Sequence, residues 1–320
     1  MPNAFGKAQI GQGEGISVTI GVVMNPRAAS GRLLAQWPTL AGHIRDCLGP
    51  FRLATTTQPA EASALARELA ESGLDLVIAV GGDGTIGEVA DGLLRAGRKP
   101  DLGILPIGTG VDFARSLDIG SSTHEAIDAI ASGRRRRIDA GRITFVGDDG
   151  RPDMKYFINE ASAGLSGPTV RAVNAAKASG RGGKFVFLYH TLAQLLRYRW
   201  DAVRVTLDGT ETIESRIAVV AACNGRYFGS GMMVAPHAEL DDGLLDVVIV
   251  KAANKLALLG VLNAAYSGRH ITSRHCIVRR VRRIDIEPVR DPALIDIDGE
   301  SPGRLPARVE VLPQALVLRS

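Results

Sequence analysis

Three acids in this chain stand beside glycines in a way that suggests chemistry. Asp83 lies inside the turn Gly81-Gly82-Asp83-Gly84-Thr85. Asp112 follows Gly108-Thr109-Gly110-Val111, and Glu300 comes directly after Asp298-Gly299. Glycine lets a backbone approach a ligand closely, and the N–H groups that open a helix attract anions. A carboxylate inside such a turn is out of place unless it meets a cation or a substrate hydroxyl. The chemistry implied is a phosphate held on Gly81, Gly82, Gly84 and Thr85, with acids facing a metal ion or an acceptor. Glu300 is then suited to take a proton from a hydroxyl as a general base. An Asp-Gly hairpin accounts for Asp298 and Gly299 by itself, but not for the acid that follows.

Other motifs narrow the field. Gly82, Gly84 and Gly87 satisfy the spacing of a dinucleotide-binding turn. That turn would follow the third predicted strand rather than the first, and no acid ends a strand about 20 residues later. The match is therefore an accident of Gly87. Asp241-Asp242-Gly243 reads either as a plain turn or as a site for a hard cation such as Mg2+. The histidines fall in no HxxH or HExxH spacing, and no GxSxG elbow or GxxxxGK[ST] loop is present. Zinc hydrolysis and triad chemistry are unsupported.

The elements that must position these acids can be read from hydrophobic periodicity. Residues 17–24, 51–55, 76–80 and 102–105 are short apolar runs, separated by helical patterns over 32–48, 61–72, 86–94, 111–117 and 124–132. Strands alternating with helices imply a parallel, doubly wound sheet, whose ligands bind at the carboxyl ends of the strands. The loops at residues 25–31, 81–85 and 108–112 should converge there. After four successive arginines at 134–137 the pattern becomes strand-rich. Strands are expected over 138–146, 156–161, 202–207, 215–222, 244–250 and 276–286, with helices over 168–178, 184–200 and 254–267. The fold class expected is α/β, with an N-terminal nucleotide-binding domain, a C-terminal β-sandwich and a cleft between them. The domains would span 17–136, joined by the last strands in 306–320, and 137–305.

Composition agrees with a globular chain. Of 320 residues, 45% are hydrophobic and 22% charged, and the net charge is +4. Cys47, Cys223 and Cys276 form no CxxC pair, which points to a reducing, cytoplasmic setting. Residues 1–16 are glycine-rich and polar, and read as a frayed leader. No apolar run reaches the ~18 residues of a membrane span. The arginines at 134–137 and the seven between 269 and 290 form either solvated faces or contacts with anionic headgroups. Nucleic acid is disfavoured because aromatic residues do not interleave with them. Residues 184–200 are apolar at helical spacing with basic ends, the pattern of a core-packed helix or of a lining for a lipid tail.

Taken together, the motifs resemble the bacterial diacylglycerol kinase and lipid kinase family, relatives of the sphingosine and ceramide kinases. The resemblance is carried by NPRAASG at 25–31, GGDGT at 81–85, LPIGTGVDFA at 105–114 and INEASAGLSG at 158–167. It continues with NGRYFGSGMMVAPHAELDDGLLDV at 224–247, IDGE at 297–300 and VEVLP at 309–313. It implies transfer of the γ-phosphoryl group of ATP to a lipid hydroxyl by a peripheral enzyme at the inner face of the membrane. It places ATP on Asn25, Pro26, Ser30, Gly31, Thr56, Gly81, Gly82, Asp83, Gly84, Thr85, Ile86, Gly87 and Thr109. Glu300 would be the base, with Asp83 and Asp112 near the phosphates, the metal and the acceptor. A structural Mg2+ would lie on Asp242 and the carbonyls of Glu239 and Leu244. Two departures stand out: relatives usually carry asparagine where this chain has Val111, and the loop between Pro26 and Ser30 is longer. A soluble-metabolite kinase of the NAD kinase type is the nearest alternative, and a non-catalytic nucleotide sensor is another. The acceptor lipid (diacylglycerol, phosphatidylglycerol, ceramide or a sphingoid base) is left open, as is oligomeric state, including a homodimer.

Overall fold

Apolar runs without alternation make strands covered on both faces, and the three such runs of the first half are buried almost throughout. The computed structural model describes residues 18–108, 111–117, 119, 122–179 and 183–320. The leader expected over 1–16 and Thr109 lie outside the described residues, as do the side chains of Ser30 and Lys184. The first half runs β1 (Ile20–Met24), α1 (Arg32–Leu48), β2 (Phe51–Thr55), α2 (Ala62–Glu71), β3 (Leu76–Gly81) and α3 (Asp83–Arg95). It continues with β4 (Asp101–Pro106), α4 (Asp112–Ser116) and α5 (Thr123–Ala131).

Its strands are parallel in the order β2-β1-β3-β4. Leu33, Leu40 and Ile44 of α1 share a core with Ile127 and Ile130 of α5 on one face of the sheet. Ala66 and Leu69 of α2 pack with Ile86, Val89 and Leu93 of α3 on the other. This is the doubly wound sheet. The winding reverses between β1 and β3, the point beyond which such sheets bind ligands. Asn25 and Gly82 are the residues that leave those two strands.

The second half runs β5 (Arg135–Gly147), β6 (Pro152–Phe157), β7 (Glu160–Gly164), α6 (Ser166–Ala178), α7 (Lys184–Arg197), β8 (Asp201–Leu207) and β9 (Glu211–Cys223). It ends with β10 (Leu245–Lys251), α8 (Lys255–Ala265), β11 (Cys276–Val281), β12 (Arg283–Pro288), β13 (Ile295–Ile297) and β14 (Gly303–Arg319). Alternate residues of these strands point inward to one core that includes Phe157, Val220, Ile249, Ile284 and Ile297. The result is the β-sandwich.

β14 ties the halves together. Leu318 and Arg319 pair in parallel with Leu102 and Gly103 of β4, while earlier residues of β14 pair with β5 and β12. β5 begins at Arg135, so the arginine run opens a strand, and the chain passes between halves without a linker loop.

Three strand expectations differ from the fold. The strand expected over 156–161 is the end of β6 and the start of β7, broken at Ile158 and Asn159, whose N–H groups are drawn to the Asp298 carboxylate. The single strand expected over 276–286 is two, because Asp208 Oδ1 accepts the N–H groups of Arg282 and Arg283 at 2.9 and 2.8 Å and turns the chain there. The last strands, expected over 308–312 and 315–318, are one strand with a bulge, where Gln314 at φ +49° donates its N–H to Asp139 Oδ1 at 2.7 Å. No helix among the described residues is long and apolar enough to cross a membrane.

Candidate active site

α3 starts at the glycine turn with no side chain capping its first N–H groups. They are free to bind an anion, which the positive end of the helix dipole favours. Gly81 must be glycine, because a Cβ there would lie 2.8 Å from the side chain of Thr85. A Cβ on Gly84 would meet nothing within 4 Å, so that side of the turn opens outward. Asn25 at the end of β1 donates from Nδ2 to Thr85 Oγ1 at 3.1 Å, fixing the two loops of the switch point to each other. Asn25 Oδ1 accepts the N–H of Arg27 at 3.0 Å, which starts the short 3-10 turn through Gly31. Thr56, at the end of β2, is buried and donates its N–H to Met24 O at 3.0 Å. Asn25, Pro26, Thr56 and the turn at 81–87 thus share one end of the sheet.

Asp83 and Asp112 are brought together. Asp83 Oδ1 accepts the N–H of Phe113 at 3.1 Å, so the acid of the first turn caps the start of α4 beside Asp112. Asp112 is 4% exposed, and its Oδ2 accepts the N–H of Ser230 at 2.7 Å from the sandwich half. Its Oδ1 is buried without a hydrogen-bond partner. Arg115 Nη1 stands 3.9 Å away. Burial, and then the charge of Asp83, push the Asp112 carboxyl up to about 7. Asp83 is also raised, chiefly by burial. Val111, which precedes the pair, is held at φ +26° and ψ +46°, a left-handed conformation that a β-branched residue rarely adopts.

Glu300 has a different set of neighbours. It forms an ion pair with Lys155 of β6, and the Glu88 carboxyl of α3 hydrogen-bonds to it. Burial, followed by that hydrogen bond and the Glu300 charge, raises Glu88 to about 8. Burial opposes the charge on Lys155, but Glu300 outweighs it and lifts the Lys155 pKa above its ordinary value. Glu88 is five residues beyond Asp83 on α3, about 7–8 Å along the axis at 1.5 Å per residue. Asp298 locks the two clusters together. Its carboxylate accepts N–H groups from Ile158, Asn159 and Glu160 at 2.9 to 3.1 Å, and it crowds Gly87, where a Cβ would lie 2.9 Å away. A cavity of about 620 Å³ beside Glu300, Glu88 and Lys155 runs along α2 and α3, away from Asp112.

The third expected constellation is already neutralised. Arg280 pairs with Asp242 and reaches Asp246 at 3.7 Å, while Asp242 Oδ1 accepts the N–H of Leu244 at 2.9 Å. A Mg2+ on Glu239, Asp242 and Leu244 requires that guanidinium to withdraw.

Glu88 and Lys155 belong to none of the motifs, and Asp298 reads only as part of the turn before Glu300. Glu88 gave no signal either, because it falls on the side of α3 opposite Ile86, Val89 and Leu93. Lys155 gave none, because its partner is 145 residues away.

A parallel sheet presenting a glycine turn, closed by a sandwich that adds carboxylates, is an arrangement suited to phosphoryl transfer. Residues 19–143 match the family model described as the diacylglycerol kinase catalytic domain. Residues 159–319 match the one described as the YegS C-terminal NAD kinase beta sandwich-like domain. The chain belongs to the diacylglycerol kinase family. It is 32% identical over 272 residues to a diacylglycerol kinase of Bacillus subtilis (strain 168), covering 82% of this chain and 86% of that one. It is 30% identical over 259 residues to a diacylglycerol kinase of Staphylococcus epidermidis, covering 81% and 78%. A crystal structure of a diacylglycerol kinase from Bacillus anthracis str. Sterne shares the fold, with a TM-score of 0.69 at 22% identity over 94% of this chain and 96% of that one.

Proposed function

We propose that this chain transfers the γ-phosphoryl group of ATP to a hydroxyl of a membrane lipid such as diacylglycerol. The observation that carries the reading is the buried pair Asp83 and Asp112, with Asp112 Oδ1 accepting no hydrogen bond beside an uncapped glycine turn. Two buried carboxylates side by side are disfavoured in their charged form, and a cation between them would offset that cost. Mg2+ accompanying ATP would be held by Asp83 and Asp112, and would neutralise charge on the phosphates when bound.

The remaining steps belong to the chain itself. The N–H groups that open α3 hold the phosphates, and Asn25 keeps Thr85 oriented beside them. Glu300 accepts the proton of the lipid hydroxyl as that oxygen bonds to the γ-phosphorus and the bridging bond to ADP breaks. Lys155 and the protonated Glu88 grip the Glu300 carboxylate from two sides and aim it. Lys177 of α6 and Arg115 add positive charge near Asp83.

A lipid acceptor requires a membrane-facing surface, and α7 supplies one. Phe185, Tyr189, Leu196 and, on α8, Leu256 are 88, 67, 67 and 80% exposed. Phe185, Tyr189, Leu192 and Leu196 follow one stripe of the helix. Lys255 Nζ donates to the carbonyls of Leu195 and Tyr198 at 2.6 and 2.9 Å, which sets the start of α8 beside the end of α7. On the inner side of α7, Phe187 packs on Met232, two residues beyond the Ser230 that binds Asp112. This stripe is better suited to a bilayer than the arginine clusters. Arg135, Arg136, Arg279, Arg280 and Arg283 already pair with acids.

The test offers radiolabelled ATP with diacylglycerol, ceramide, a sphingoid base and phosphatidylglycerol in mixed micelles, alongside NAD. Label on a lipid, lost in both Asp83→Ala and Glu300→Gln with unchanged circular dichroism, supports the reading. Label on NAD, or near-normal turnover in either variant, refutes it.

A further inference from the structure

On the sheet face opposite α2 and α3, two helices present metal-binding side chains to each other. His43 and Cys47 are one turn apart on α1, and His124 and Asp128 are one turn apart on α5. Residues spaced i, i+4 share a helix face, so each helix offers a pair toward its neighbour. His43 Nε2 lies 3.1 Å from Asp128 Oδ1. Cys47 Sγ lies 3.7 Å from the same oxygen and 3.8 Å from either ring nitrogen of His43. The His124 ring sits 4.9 Å, centroid to centroid, from that of His43.

These separations can be set against coordination geometry. Tetrahedral zinc binds thiolate at ~2.3 Å, imidazole at ~2.0–2.1 Å and carboxylate at ~2.0–2.2 Å, which puts neighbouring donor atoms about 3.3–3.6 Å apart. The three edges found here lie within about half an ångström of those of a zinc tetrahedron, and a rotation of the Cys47 side chain that takes the sulfur off the imidazole face, where it now reaches both ring nitrogens alike, completes the fit. A His–Asp ion pair alone would need no sulfur nearly equidistant from both partners. Cys47 and Asp128 are exposed, so an ion can reach the site.

We propose that His43, Cys47 and Asp128 bind a Zn2+-type divalent cation, with His124 or water completing the shell. Imidazole with thiolate selects such a metal over Mg2+ or Ca2+. On binding, Cys47 gives up its thiol proton to solvent and the S–metal bond replaces the S–H bond. The ion would join α1, which follows the loop from Asn25, to α5, which follows α4. It would clamp the last turns of α1 to α5 near the start of β2, at the end of the sheet away from the glycine turn. The site is separate from the acids of the phosphotransfer reaction and stands or falls independently of it.

The test uses the full chain, stripped with chelator and then titrated with Zn2+ and, separately, Co2+. One equivalent of Co2+ should give a near-ultraviolet thiolate-to-cobalt band with visible bands of four-coordinate intensity. One equivalent of Zn2+ should slow the reaction of Cys47 with a disulfide reagent at least tenfold. Cys47→Ser should abolish the band, although Cys223 and Cys276 remain. Asp128→Asn should keep the band and weaken affinity at least tenfold. Absence of the band together with an unprotected Cys47, or unchanged Zn2+ affinity in Cys47→Ser, overturns the proposal.

Discussion

Asp112→Asn separates the electrostatic cost of the acid pair from its use. The carboxyl of Asp112 is raised from an ordinary 3.8 to about 7, first by burial and then by Asp83. Between those two values the folded protein binds a proton that the unfolded chain has released, so this group makes stability fall as pH rises. The loss begins near pH 4, grows through the window and is complete above pH 7. At 1.36 kcal/mol per unit, the shift of about 3 units corresponds to a ceiling of ~4 kcal/mol. Asparagine fills the same space, and its oxygen can still accept the N–H of Ser230. It should therefore recover about 2–4 kcal/mol at pH 8, roughly 1–2 kcal/mol at pH 5, and almost nothing at pH 4. For 320 residues each kcal/mol is on the order of 1.5 °C in Tm. The assay is thermal and urea unfolding of both proteins in chelator at three pH values, paired with lipid phosphorylation. The variant should be more stable yet inactive, and Mg2+ with ATP should raise the Tm of the parent protein alone. A gain that does not change with pH, or a variant less stable at pH 8, refutes the reasoning.

Two further predictions concern backbone strain and the exposed apolar stripe of α7. Val111 occupies a left-handed conformation that costs a β-branched side chain about 1–2 kcal/mol. Val111→Asn should move the urea midpoint upward by the equivalent of roughly 1 kcal/mol, and an unchanged or lower midpoint would show that the strain is relieved elsewhere. Replacing Phe185 and Leu196 together by serine should weaken sedimentation with anionic vesicles by at least tenfold, at about 1 kcal/mol or more for each partly buried side chain. Solution stability should not fall, because both side chains are exposed. Equal vesicle binding by parent and variant would assign the membrane contact to another face.

Much of this architecture could be read from local pattern. The apolar runs before Asn25 and Gly82 have no alternation, so they had to be covered on both faces, and the helical periods between them supplied the cover. Asp83 and Asp112 stood out because each is an acid where the backbone is shaped for an anion. Their proximity is consistent with two similar turns ending adjacent parallel strands. What stayed hidden depends on contacts across the chain. The Lys155 and Glu300 pair joins residues that no period relates, and Asp298 is meaningful only when three backbone N–H groups from another strand converge on it. The arginine run was less informative for a similar reason. Its four residues are exposed, as a solvated face requires, but strand geometry turns successive side chains to opposite sides. Arg135 therefore reaches Asp101 while Arg136 reaches Asp241 on the sandwich half. A charge run inside a strand carries less information about a partner surface than the same run on one helix face. An exposed stripe of Phe185, Tyr189 and Leu196 carries more, because burying it inside would have been the cheaper outcome for folding.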